Sequence, residues 1–304
     1  MSAVLNTRPA LLSSAIASGF VPGRRDDLAE QEYRRIAAMS YSGAKVMLRS
    51  PLHYITNIRT PKPPTIEMQG GTATHLALME PARFASEVVV LPDDAPRRPT
   101  SVQINAKKPS PETLEAIHWW FQWGAGTEGK IVLTREHAAR VQRMIDSVQS
   151  HPAARAWLTD GRYEVSLQWV DGKFAVPCKA RVDWLRTDGV FVDVKTSADA
   201  SPDGFSRSAA SLYYHMQAAA YFSGSEHVLD RTPPAWVWVV VESEEPHGVA
   251  CYVAESPAIL AGLRLWDRAL ERYRDALEAG AWSGYPITTN PLRFPKWALT
   301  FPEE

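Results

Sequence analysis

The chain has 304 residues, 45% hydrophobic and 22% charged, with a formal net charge of -1. That length suits one large domain, and the near-neutral balance excludes a basic coat for nucleic acid, so any such binding must rest on local patches. Two cysteines, Cys178 and Cys251, exclude a disulfide framework, a four-thiolate zinc site and a four-cysteine iron–sulfur cluster within one chain. No apolar run approaches the ~20 residues that span a membrane. ALLSSAIASGF, the one candidate for a signal-peptide core, is broken by serines and lacks a compact basic lead, so the reading is a cytoplasmic protein without a membrane partner.

Residues 1–39 carry no strong pattern and read as an N-terminal arm, disordered in part. Residues 40–282 read as a single domain and 283–304 as an irregular tail. Ser40 or Ser42 can cap a helix through AKVMLRS, which Pro51 interrupts before LHYITNI, and PKPPT marks a linker. Glu67 to Met79 predicts a helix whose Gly70 and Gly71 each cost about 1 kcal/mol relative to alanine, a cost that predicts a close approach there. Residues 91–111 form a loop in which Arg97, Arg98, Lys107 and Lys108 either track a phosphate backbone or are simply solvated. Trp119, Trp120, Phe121 and Trp123 fall on the next helix. Val141, Met144, Ile145 and Val148 make the apolar stripe of another, capped by Thr134. HPAARAWL is a short helix leading into a sheet.

Residues 161–196 predict three strands joined by two tight turns. Thr187-Asp188-Gly189 fits a three-residue hairpin loop with glycine at the left-handed position, which places Arg186 opposite Val190 and Asp183 opposite Asp193. Alternation then puts Asp183, Asp193 and Lys195 on one face, with Arg181 and Lys179 beyond, and Ala180, Val182, Trp184, Val190, Val192 and Val194 on a core face. Asp171-Gly172 reads as a two-residue hairpin that brings Glu164 opposite Lys179. SRSAASLYYHMQAAAYFSG predicts a helix ended by Gly224. AWVWVVVE predicts a strand buried on both faces, with GVACYVAE beside it and a long helix from Ala258 to Leu277.

Two facing carboxylates repel unless a cation sits between them, and oxygen-rich sites of that kind suit Mg²⁺ or Mn²⁺. An exposed face of alternating salt bridges would show the same pattern. In GTATH, Gly71 and His75 are one helical turn apart, so a histidine can reach the same site or be merely structural. In QAAAY, Gln217 and Tyr221 share a helix face in the same way.

In order, Gly71–His75, Asp183, Asp193-Val194-Lys195 and Gln217–Tyr221 resemble the GxxxH, D, DxK, QxxxY series of RecB-type nucleases in the PD-(D/E)xK superfamily. The surrounding text, including SYSGAKVMLRSPLHY and KARVD, is most similar to the phage and prophage exodeoxyribonuclease VIII (RecE-like) nuclease domain. The resemblance implies an α/β (α+β) fold with a restriction-endonuclease-like core: a central mixed sheet flanked by helices, with an N-terminal helical addition. It implies Mg²⁺-dependent cleavage of DNA, with Mn²⁺ able to substitute. His75, Asp183, Asp193 and the Val194 carbonyl would be metal ligands, with Glu164 either an outer ligand or a partner of Lys179 or Arg181. Lys195 would position and help deprotonate the attacking water or offset charge on the phosphorane, and Gln217 and Tyr221 would support the site and contact phosphate. It further implies 5′–3′ exonuclease action on double-stranded DNA ends in phage-type recombination, with a single-strand annealing protein as partner and a ring-shaped homo-oligomer. Rival readings are an endonuclease or repair nuclease on the same fold, and a non-catalytic DNA-binding protein. The iron–sulfur cluster of some RecB-type relatives is excluded by the cysteine count, and no helicase phosphate loop, GxxxxGK[ST], is present.

Overall fold

The structure, a computed structural model, describes residues 12–60 and 62–294. Among the described residues eight strands are formed: β1 (Gly23–Arg25), β2 (Val88–Val90), β3 (Ile131–Leu133), β4 (Gly161–Val170), β5 (Pro177–Arg186), β6 (Phe191–Ser197), β7 (Trp236–Glu242) and β8 (Val249–Val253). Six of them make one mixed sheet in the order β1-β4-β5-β6-β7-β8, and β2 and β3 pair separately. Only β6 and β7 run parallel within the large sheet, and the helices Pro202–Ser211 and Tyr214–Leu229 form the crossover that such a pair needs. Helices cover both faces, as expected of an α/β fold with a central mixed sheet.

β7 lies one strand in from the β8 edge and is buried on both faces. Trp236, Trp238 and Val240 enter a core beneath the Tyr214–Leu229 and Ser256–Glu278 helices, while Val237, Val239 and Val241 enter a second core on the other face. The second core is closed by Ala73 and Met79 of the Ile66–Met79 helix and by Val141, Met144, Ile145 and Val148 of the Thr134-capped helix. An apolar run without alternation is what burial on two faces demands.

Several expectations are corrected. Part of the predicted arm belongs to the sheet: Gly23–Arg25 pairs with Gln168 to Ser166, and Phe20, Leu28 and Ile36 form a small core of their own. The interruption expected at Pro51 is present: one helix ends at Arg49 and a second, capped by Ser50, starts at Pro51, where proline lacks only an N–H that the first turn leaves unbonded. The helix predicted to stop at Gly224 is two helices, broken at Tyr213 (φ 61°), and the second runs to Leu229. Gly224 serves packing instead: a Cβ there would lie 2.7 Å from the Trp169 ring. Gly70 faces open space and a Cβ at Gly71 would lie 3.4 Å from Thr196 Oγ1, so no backbone crowds either glycine.

The Asp171-Gly172 hairpin is also longer than predicted. Val170 pairs with Pro177, and Asp171 Oδ1 accepts from Lys173 N–H and Phe174 N–H, at 3.0 and 2.8 Å, to close a wider loop. An Asx-type turn has replaced the two-residue turn. The shift moves Glu164 away from Lys179, which pairs with Gln168, and sets it between the Tyr163–Trp184 and Val165–Val182 pairs, opposite Asp183.

The predicted core face is divided as well. Ala180 and Val182 enter the first core, whereas Trp184, Val190, Val192 and Val194 pack in the second. β5 changes sides at Asp183, opposite Glu164, whose backbone is left-handed (φ 53°).

Candidate functional site

The Thr187-Asp188-Gly189 loop holds the predicted register. Gly189 has φ 91°, Arg186 N–H donates to Val190 O at 3.0 Å, and Trp184 pairs with Val192 and Leu185 with Phe191. That count sets Asp183 level with Asp193, but the ladder ends at Trp184–Val192. The strands part there, and Asp183 Oδ2 takes the place of a backbone acceptor, receiving the Val194 N–H at 3.1 Å. β6 meanwhile keeps full parallel pairing to β7, which holds it rigid.

Each predicted residue is found around this split. His75, on the Ile66–Met79 helix, brings Nε2 to 2.6 Å from the Val194 carbonyl and Nδ1 to 3.5 Å from Asp183 Oδ2. A carbonyl can only accept, so Nε2 carries the proton and, in the neutral ring, Nδ1 keeps the lone pair. Asp193 points to the other side of β6. Lys195 Nζ meets its two oxygens at 2.7 and 2.6 Å, and Gln217 Nε2 donates to Oδ1 at 2.8 Å. Tyr221, one turn beyond Gln217, lines the cleft and packs edge-on against Trp236 at 5.3 Å. Glu164 lies opposite Asp183, with Arg181 Nε 3.5 Å from its Oε2.

Burial governs the charge states. Glu164 is pushed up to about 8, first by burial and then by the Asp183 charge, with Arg181 opposing. Asp193 is 1% exposed and is also raised by burial, against the pull of Lys195 and Gln217 and with the push of Asp183. Burial disfavours the Lys195 ammonium, but Asp193, Asp183 and Tyr214 outweigh it and raise its pKa. The ammonium also stands 4.8 Å over the Tyr214 ring.

His75, Glu164, Asp183, Val194, Lys195, Tyr214 and Tyr221 line a cleft of about 700 Å³ that also takes in Tyr41, Glu80, Lys179 and Arg181, while Asp193 and Gln217 are buried behind Lys195. Sequence reasoning missed Glu80 and Tyr214. Glu80 caps the C-terminus of the His75 helix, its charge reaches Glu164, and its place just before Pro81 was the available signal. Tyr214 offered none beyond its nearness to Gln217.

Among the described residues no three His, Cys, Asp or Glu side chains are grouped so as to hold a metal ion as they stand. The reason is local: Asp183 and His75 are engaged with the Val194 backbone, and Asp193 with Lys195 and Gln217. The donor chemistry nevertheless fits a hard divalent cation. Three carboxylates sit on adjacent strands with two of them raised in pKa, a carbonyl and an imidazole stand beside them, and Gln217 Oε1 is buried without a hydrogen-bond partner.

A mixed sheet that splits between an acidic residue and an Asp-x-Lys strand is the PD-(D/E)xK-like fold of a nuclease superfamily. A family model for a PDDEXK-like domain of unknown function (DUF3799) matches residues 40–289, and the chain belongs to that family. Among solved structures, the crystal structure of a putative exonuclease from Eubacterium rectale is similar in fold, with a TM-score of 0.56 at 10% identity over 91% of this chain and 97% of that one. The structure of SSO0001 matches 61% of this chain and 75% of its own at 14% identity, with a TM-score of 0.27. No curated protein matches the chain.

Proposed function

We propose that the protein is a metal-dependent deoxyribonuclease, acting as an exonuclease on double-stranded DNA ends in the manner of RecE-like enzymes. The observation that carries this reading is the Asp193–Lys195 pair, buried and braced by Gln217 at the point where β5 leaves β6. Burying such a pair is weakly stabilising at best, since desolvation offsets the attraction. A row of mutually repelling carboxylates beside it stabilises nothing. Chemistry on a charged substrate gives both a purpose.

Asp183, Asp193, the Val194 carbonyl and His75, with Glu164 alongside, would hold Mg²⁺ or Mn²⁺. When bound, such an ion polarises a phosphoryl oxygen and lowers the pKa of its water. Lys195 is held as an ammonium by both Asp193 oxygens, so its part is to offset charge that grows on the phosphorane rather than to remove a proton. Gln217 fixes the Asp193 carboxylate, and Tyr221 closes the wall of the cleft. The resemblance to RecE-like nucleases supports action from 5′ ends.

Digestion of end-labelled linear duplex, set beside covalently closed circular DNA, tests the proposal. Mg²⁺-dependent loss of label from the linear substrate, 5′ before 3′, with the closed circle intact, is expected. Cutting of the closed circle would show an endonuclease.

A further inference from the structure

Next to the cleft a second cavity, about 520 Å³, opens along the helices Tyr41–Arg49 and Pro51–Arg59. Lys45, Arg49, His53 and Lys62 line it and no carboxylate does. Lys45 and Arg49 are one turn apart on the first helix, and His53 and Asn57 are one turn apart on the second, so each helix turns a polar row toward the same space. Val46 and Leu52 supply an apolar floor between them.

Two features separate this groove from ordinary surface charge. First, its cations are uncompensated: among the described residues none of Lys45, Arg49 and Lys62 forms a salt bridge, whereas Arg34, Arg83, Arg181 and Lys195 in the cleft each have a carboxylate partner. A chain with net charge -1 has acids enough to pair them, so the one-sign lining is a local arrangement. Second, the groove continues the cleft. Lys45 Nζ stands 5.7 Å over the ring of Tyr41, which lines the cleft, and after burial it is the Lys195 charge that lowers the Lys45 pKa.

We infer that this groove carries the sugar–phosphate backbone of the DNA strand beyond the cleft, its cations on the phosphates and its apolar floor under the sugars. The inference rests on the nuclease reading of the cleft. Phosphates spaced along a strand match cations spaced along two helices, and the released counterions make such contacts salt-dependent. Hydroxyl and amide groups at Thr56 and Asn57 add uncharged donors at the same edge.

The test is DNA binding by fluorescence anisotropy in an Asp193→Asn background, which prevents cleavage during the measurement. Arg49→Glu/Lys62→Glu is compared with Arg135→Glu/Arg143→Glu, which changes net charge equally on a different helix. Because Arg49 Nε also donates to Tyr285 OH at 3.0 Å, an Arg49→Gln/Lys62→Gln variant and thermal unfolding of all proteins accompany the reversal. The groove variants should bind at least ~10-fold more weakly near 0.1 M salt, with a log Kd against log salt slope smaller by about 2, since each duplex phosphate contact contributes about 0.9. The control pair should keep the parent slope.

Folded groove variants that match the control in affinity and slope overturn the groove while leaving the nuclease reading in place. A parent that binds no DNA, with a wild type that cleaves none, removes both. Groove-dependent sedimentation with phosphatidylserine vesicles, with DNA affinity unchanged, reassigns the groove to a membrane surface and overturns the inference.

Discussion

The polar row of β5 has two ends, and they are used differently. At one end Lys179 and Arg181 are closed over by the N-terminal segment. Lys179 Nζ donates to the carbonyls of Tyr33, Ile36 and Arg34 at 2.7, 2.8 and 3.4 Å, Arg181 donates to Leu28 O, and both cations lie 4.6 Å from the Tyr33 ring. At the other end Asp183 stands at a split in the sheet, between Glu164 and the Asp193–Lys195 pair, and opens on the cleft. Alternation finds both ends alike. What distinguishes them is whether neighbouring backbone satisfies the charge or leaves like charges crowded together.

Removing the ammonium at the open end should have the largest effect. Lys195→Met is expected to lower the rate of cleavage by at least ~10²-fold, the scale of losing one charge-stabilising donor, with the far-UV spectrum unchanged. Wild-type turnover in that variant would move the chemistry elsewhere. At the closed end the same substitution should do the reverse: Lys179→Met leaves three carbonyls without their donor and should cost ~2–4 kcal/mol in urea unfolding at constant m-value. Cleavage per folded molecule should stay within a few-fold. If Lys179→Met abolished cleavage without loss of stability, the two ends would not differ as described.

A pH series sharpens the contrast. Glu164 titrates near 8 in the folded chain and near the ordinary carboxylate value when unfolded, so between those values the native state binds more protons. Stability in EDTA should therefore be greatest at mildly acidic pH and fall as pH rises toward 8, lowering Tm by ~2–3 °C for about one to two kcal/mol in a chain of this length. Glu164→Gln should flatten the fall, and Mg²⁺ should reverse it in wild type by binding the folded state. A flat wild-type profile contradicts the crowding of acids at the open end. The smallest effect concerns the helix behind Asp193: Gly224→Ala places a methyl 2.7 Å from Trp169 and should cost about 1–3 kcal/mol. A neutral result would mean that Trp169 yields without disturbing the helix carrying Gln217.

Much of this site was legible in the sequence, and the reason is local. Gly189 at a positive φ fixes the β5–β6 loop, and a fixed loop fixes which residues stand level on two strands. His75 and Gln217 follow from helical spacing, because residues one turn apart share a face. Glu164 was misplaced because Asp171 used its side chain to build a turn of its own, a choice that the pair Asp171-Gly172 does not reveal. Gly224 was misread because a glycine that ends a helix and one that admits an indole look the same in sequence. The cover over Lys179 was invisible for a different reason: residues 28–36 contribute mainly backbone carbonyls, which every residue has. The division of the predicted core face at Glu164 and Asp183 likewise depends on a backbone reversal that alternation assumes away.

On the proposed function, Asp193, buried between Lys195 and Gln217, serves a nuclease centre and is not needed for the fold. The most direct measurement is Mg²⁺-dependent nucleotide release from linear duplex by wild type and Asp193→Asn, prepared side by side with their thermal unfolding curves. Release by wild type and at least ~10²-fold less by the variant are expected, with the variant still folded and unfolding cooperatively although loss of the Lys195 partner lowers its stability by up to ~3–5 kcal/mol. Equal release by the two proteins, or a wild type inert with both Mg²⁺ and Mn²⁺, would contradict that role.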